Sequence, residues 1–125
     1  NSMDLVNCTF YRNSASQNDH YSIISFGDLN ILNCIVSRGA LVDRVNNKFY
    51  SINSTYSLIQ EITVVGGTGN IVSNPLFVDP ENSNFRLEAE SPAINAGHPG
   101  NEYKDSNGSR NDMGAFGGPY GDDWE

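Results

Sequence analysis

Arg44, Lys48 and Tyr50 stand within one seven-residue stretch, and their chemistry suits an acidic sugar. An aromatic ring stacks on a sugar face while neighbouring cations neutralise a carboxylate. A second set, Asp105, Asn107 and Asp112, places oxygen ligands around Gly108, which is the composition of a calcium loop. Gly108 directly follows Asn107 and no Glu closes the segment, so an EF-hand is excluded. Asx-turns without a metal use the same residue types. Calcium is the one cofactor the pattern suggests. Asp19, His20, Asp28, Arg38 and Asp43 add the types a polysaccharide lyase needs, a base next to a uronate and a cation beside it. Glycosidases need a carboxylate pair instead. With no cleft visible, these side chains read as solvated surface. No Ser-His-Asp set or phosphate loop occurs, and no residue is assigned a catalytic role. Cys8 and Cys34 are too few for a four-ligand zinc site or a disulfide scaffold. Small thiols suit a narrow core, so both are expected buried and unbridged.

The elements that carry these residues follow from a weak internal repeat. The stretch from Asp4 to Asn13, with Asn7-Cys8 at its centre, matches that from Asn30 to Gly39, with Asn33-Cys34, at an offset of 26 residues. A third copy, Ser51 to Ser57, follows 20 residues later with Ser replacing Cys. Each copy alternates apolar and polar residues on both sides of an Asn, a period of two that belongs to strands. Short strands broken by Asn corners at such intervals describe a β-solenoid, in which equivalent residues stack along the axis. Asn7, Asn33 and Asn53 are then the corner residues, tolerant of αL and able to ladder their amides. Leu5, Ile31 and Ser51 are expected inward, as are Cys8, Cys34 and Ser54, then Phe10, Val36 and Tyr56. Val6, Leu32 and Ile52 are expected to face outward as an apolar stripe, a candidate surface for another copy. An antiparallel sandwich would instead need hairpin turns, and no Asn-Gly or Asp-Gly joins two strands in residues 1–65.

Composition agrees with strands and turns. Of 125 residues, enough for one domain, 17 are Asn and 14 are Ser, types that favour turns over helix interiors. The net charge of −8 divides unevenly. Residues 1–78 hold five acids and four bases, a net of −1, and residues 79–125 hold ten acids and three bases, a net of −7. No basic patch exists to release counterions, so nucleic acid and anionic membrane surfaces are excluded as partners. No apolar run approaches the roughly 18 residues of a membrane span. The chain opens at Asn1 with neither an initiator Met nor a signal peptide, and reads as a piece of a longer one. Residues 1–65 are expected to form coils, 66–99 a last coil and return segment, and 100–125 a Gly- and Asp-rich cap over an open coil end.

Four blocks carry a resemblance. They are Asn74-Pro75-Leu76-Phe77-Val78-Asp79-Pro80, Asn84-Phe85-Arg86-Leu87, Ser91-Pro92-Ala93-Ile94-Asn95-Ala96-Gly97, and the run from Arg110 to Pro119. In order and spacing they resemble the terminal region of secreted bacterial parallel β-helix proteins of the pectate-lyase-like superfamily, in particular choice-of-anchor Q domain proteins. The resemblance implies an all-β, right-handed parallel β-helix, location outside the cell or at its surface, and association with polysaccharide. It implies no single activity. Asn95 stands where that family carries Asp. The expected function is a carbohydrate-associated structural or binding module without catalysis in this segment, its partner a polysaccharide or cell-surface glycan held by Tyr50, Arg44 and Lys48. The alternatives are the end of a lyase or glycosidase whose groove lies in other coils, and a self-associating filament or adhesin subunit.

Overall fold

The computed structural model describes residues 2–11, 21–24, 28–37, 40–42, 44–45, 48–49, 52–60 and 67–121. Among them the chain is mostly short strand, arranged in small sheets, with 3-10 turns at Pro80–Asn82 and Asn101–Tyr103. Strands β1 (Ser2–Val6), β4 (Asp28–Leu32) and β9 (Ile52–Thr55) form one parallel sheet with β4 in the middle. β2 (Thr9–Tyr11), β5 (Ile35–Ser37) and β10 (Leu58–Ile59) form a second, ordered β10-β5-β2. β3 (Tyr21–Ile24) pairs in parallel with β6 (Ala40–Val42). Parallel neighbours cannot be joined by a tight hairpin, so the chain must travel round between them. β4 shows why these residues form strand: Leu29 and Ile31 are buried, while Asp28 is exposed and Asn30 and Leu32 are half-buried. That is the two-residue period.

Register sets the corners. Val6 lies opposite Leu32, and Leu32 opposite Thr55. The next residue in each rung turns left-handed: Asn7 at φ 50°, Asn33 at φ 57° and Tyr56 at φ 49°. The third corner is therefore Tyr56, and Asn53 is not a corner but a strand residue opposite Asn30. The interval from Asn33 to Tyr56 is 23 residues, not 20. Matching on Asn alone slipped the third copy by three places, and an odd slip also exchanges its two faces. Ser54, rather than Ser51, completes the Leu5–Ile31 column. Thr55, rather than Ile52, follows Val6 and Leu32, so the continuous aliphatic stripe is replaced by one ending in a hydroxyl. An amide ladder does form, but on the exposed face of the first sheet. Asn53 Nδ2 donates to Asn30 Oδ1 at 3.0 Å, and Asn30 Nδ2 to Asp4 Oδ1 at 2.7 Å.

A fourth strip, Thr68 to Ile71, meets the last of these rungs. Tyr56 N donates to Thr68 O and Ile71 N to Ser57 O, each at 2.9 Å. Asn70 seals that end, its Nδ2 donating to Ser54 O at 2.7 Å while its Oδ1 accepts from Ser54 Oγ and Ser57 N. An antiparallel pair interrupts the parallel pattern, β7 (Arg44–Val45) with β8 (Lys48–Phe49). Its two connecting residues are Asn46-Asn47, a left-handed-tolerant dipeptide that a search for Asn-Gly or Asp-Gly passes over.

The core has two parts. Leu29, Ile31 and Cys34 are buried with Leu5, Cys8 and Phe10 against them. Ile35 and Leu58 project to the other side of the second sheet, where they meet Phe77, Ala93 and Met113. The loop-rich segment, expected over a coil end, thus packs along the outer face of β10-β5-β2. Strands β11 (Phe77–Asp79) and β12 (Asn84–Leu87) pair antiparallel within it. Tyr11, Phe77 and Phe85 meet there at centroid distances of 5.4–5.9 Å.

Both cysteines are free thiols. The Cys8 amide donates to Cys34 Sγ at 3.4 Å. A hydrogen bond from the Cys34 thiol pulls the Cys8 pKa down, while that same bond and burial push Cys34 up. A thiolate is the reactive form. Iodoacetamide at neutral pH is expected to label Cys8 well before Cys34, and Cys34→Ala to slow labelling of Cys8; equal rates at both sites would remove this coupling.

Candidate functional site

Asn7 begins the site. Held in αL at the first corner, its Nδ2 donates to Asn111 Oδ1, Asp112 O and Gly114 O at 3.1–3.2 Å. Asn111, fully buried, returns Nδ2 to Asn7 Oδ1 at 3.1 Å and to Tyr103 O at 2.6 Å. Two amides therefore tie the first corner to both Met113–Gly114 and the Asn101–Tyr103 turn. The second corner holds the adjoining loop: Asn33 Oδ1 accepts from His98 N at 2.7 Å, and Asn33 O from Gly114 N at 2.7 Å. Asn33 Nδ2 is buried without a partner among the described residues. The His98 ring packs between Tyr56 and Tyr103, with centroids at 5.0 and 4.7 Å, and its Nδ1 accepts from Gly100 N at 2.9 Å.

Asp105 fixes the opposite wall. Its Oδ1 accepts from Gly118 N at 2.7 Å and Asp112 N at 3.1 Å, and its Oδ2 from Ser109 Oγ at 3.4 Å. Asn107 Oδ1 accepts from Ser109 N and Oγ, and Asp112 Oδ1 from Asn95 N. Each residue suggested for calcium thus aims its Oδ1 at protein donors, Gly118 N and Asp112 N for Asp105, Ser109 for Asn107 and Asn95 N for Asp112. Among the described residues no cluster of three His, Cys, Asp or Glu could hold a metal. Calcium would have to displace these donors. The melting temperature is expected to be the same with and without a chelator, whereas a drop restored by calcium would return the metal to the loop.

Asp112 is raised above the ordinary carboxylate range, first by burial and then by the nearby charge of Asp105, against the lowering pull of the Asn95 amide. A raised carboxylate leaves stability intact below its unfolded pKa and loses it as pH rises through the folded one. Asp112→Asn keeps the Oδ1 acceptor. It is expected to raise the melting temperature at pH 7, with the gain closing as pH falls below about 4.

Between the first corner and these two walls lies an open cavity of about 380 Å³. Among the described residues Asn7, Glu102, Tyr103, Gly117, Pro119 and Tyr120 line it. Tyr120 is 75% exposed. Glu102 is the one charged residue of the lining among the described residues. The side chains of Arg44 and Lys48, and all of Tyr50, lie outside the described residues; Arg44 stands opposite Phe49 and Lys48 opposite Val45 in backbone register. Asp19, His20, Arg38 and Asp43 also lie outside them. Sequence reasoning missed the cavity, although Phe116, Pro119 and Tyr120 amid the glycines of residues 114–121 were a readable signal of an aromatic loop. No family model, no curated protein and no solved structure matches the chain. Among the described residues no helix is long and apolar enough to cross a membrane.

Proposed function

We propose that the chain is a section of a right-handed parallel β-helix, of the pectate-lyase-like kind, that works outside the cell as a carbohydrate-associated structural or binding module. The parallel register of β1-β4-β9 and β10-β5-β2, with left-handed residues at equivalent corners, supports the solenoid. The observation that carries the binding role is the tyrosine-walled cavity against the first corner. Aromatic residues beside fixed polar groups are what a sugar ring needs, since its C–H face is apolar and its rim is all hydroxyl. A tightly hydrogen-bonded loop holds both walls, so the site is formed before a ligand arrives. No catalytic group belongs to this reading.

The test is the whole chain on a panel of neutral and acidic polysaccharides, with its mass in solution measured alongside. Retention on a polysaccharide by a monomer supports the binding module. A second reading has one observation behind it: β1 is an edge strand whose Met3 and Val6 are 44% and 46% exposed, a template for strand addition. Concentration-dependent mass without glycan binding favours that self-associating subunit instead.

A further inference from the structure

We infer that the cavity beside Asn7 takes a neutral sugar ring bearing a free vicinal diol, with Tyr120 as its stacking platform and Glu102 as the acceptor of the diol. This rests on the carbohydrate reading above and narrows it. Among the described residues, the Glu102 carboxylate and the hydroxyls of Tyr103 and Tyr120 make no hydrogen bond or ion pair, yet all three residues line the same space. Asn7, in the same lining, contrasts with them, because its amide is committed to Asn111, Asp112 and Gly114. Glu102, Tyr103 and Tyr120 therefore carry the recognition groups. A carboxylate accepts two adjacent hydroxyls at once, with charge-assisted strength. Tyr120, largely exposed, offers a ring face at little ordering cost.

Charge decides against the acidic glycan expected from Arg44, Lys48 and Tyr50. Among the described residues no Lys or Arg lines the cavity, whereas Glu102 does. Asp105 stands directly behind the Gly118 wall, bound to its amide. A uronate carboxylate entering there would meet like charge with nothing to neutralise it. An organic ammonium would welcome Glu102, but a cage for it needs aromatic faces on most sides. Here Tyr103 and Tyr120 are the aromatic residues among the described lining, beside Gly117, Gly118 and Pro119, too few ring faces to enclose a cation.

The probes are a neutral hexose tetrasaccharide, its uronate counterpart oxidised at C6, and tetramethylammonium, titrated calorimetrically into the intact chain. The neutral sugar is expected to bind roughly tenfold or more tightly than the uronate. Tyr120→Ala should weaken it about tenfold, the scale of one lost aromatic contact. Glu102→Gln should weaken the neutral sugar and strengthen the uronate, a crossover that a merely structural role would not produce. Tyr120 is too exposed for its loss to unfold the chain, and an unchanged melting curve checks this. Equal or tighter uronate binding, or neutral binding untouched by both variants, overturns the assignment while leaving carbohydrate binding elsewhere intact. Binding of tetramethylammonium alone overturns it in favour of a cation site. If neither sugar binds, this inference and the broader carbohydrate reading both fail.

Discussion

Asn111→Ala is expected to destabilise the protein by roughly 3 kcal/mol, since buried polar groups left unpaired cost about 1–3 kcal/mol each. Asn111 is fully buried, and its amide serves Asn7 on one side and the Tyr103 carbonyl on the other. Truncation strands both, in a place water does not reach. It also removes the neighbour that holds Gly97 close, where a Cβ would overlap the Asn111 amide. Denaturant unfolding measures the loss, and the Tyr103 wall of the cavity should loosen with it. A loss below about 0.5 kcal/mol, the range of an ordinary surface change, would show that the two amides do not hold corner and loop together.

Gly117→Ala should cost about as much, around 3 kcal/mol, at the upper end for forcing atoms into a filled space. The reason here is room. A Cβ at Gly117 would overlap the Asp112 carbonyl oxygen and press on Asn7 Nδ2 at 3.0 Å, so the loop must shift off the first corner. Gly108 is the control. It has φ +88° but nothing within 4 Å of a Cβ, so Gly108→Ala meets only the backbone cost of a left-handed residue, about 1–2 kcal/mol. Unfolding the two variants side by side separates crowding from dihedral strain. Equal losses would show that Gly117 is not a point of close approach.

Both expectations involve Asn7, about a hundred residues away in sequence from Asn111 and Gly117, and that separates what was legible from what was not. The alternation around Asn7-Cys8 and Asn33-Cys34 fixed two strand pairs because the period of two is written locally, residue by residue. The third copy was misplaced because its corner is Tyr56, an amino acid that rarely turns left-handed. Tyr56 is packed by the His98 ring and by Gly69, whose missing Cβ leaves the Tyr56 ring its place. No local pattern announces such a corner; only its neighbours in space allow it. Asp105 was likewise legible as a turn former but not as the acceptor for particular amides, since the donors come from Gly118 and Asp112.

By itself the sequence determined a mostly-strand chain with an acidic, loop-rich second half, because composition and two-residue periodicity act through short-range sterics and burial. Tertiary structure alone decided where that second half goes. Ile35 and Leu58 leave an apolar face on the outside of the second sheet, and Phe77, Ala93 and Met113 cover it. That packing brings Asn111 to Asn7 and sets Tyr103 and Tyr120 around one cavity. A cavity is the gap between surfaces that meet, and no single segment contains both of its walls.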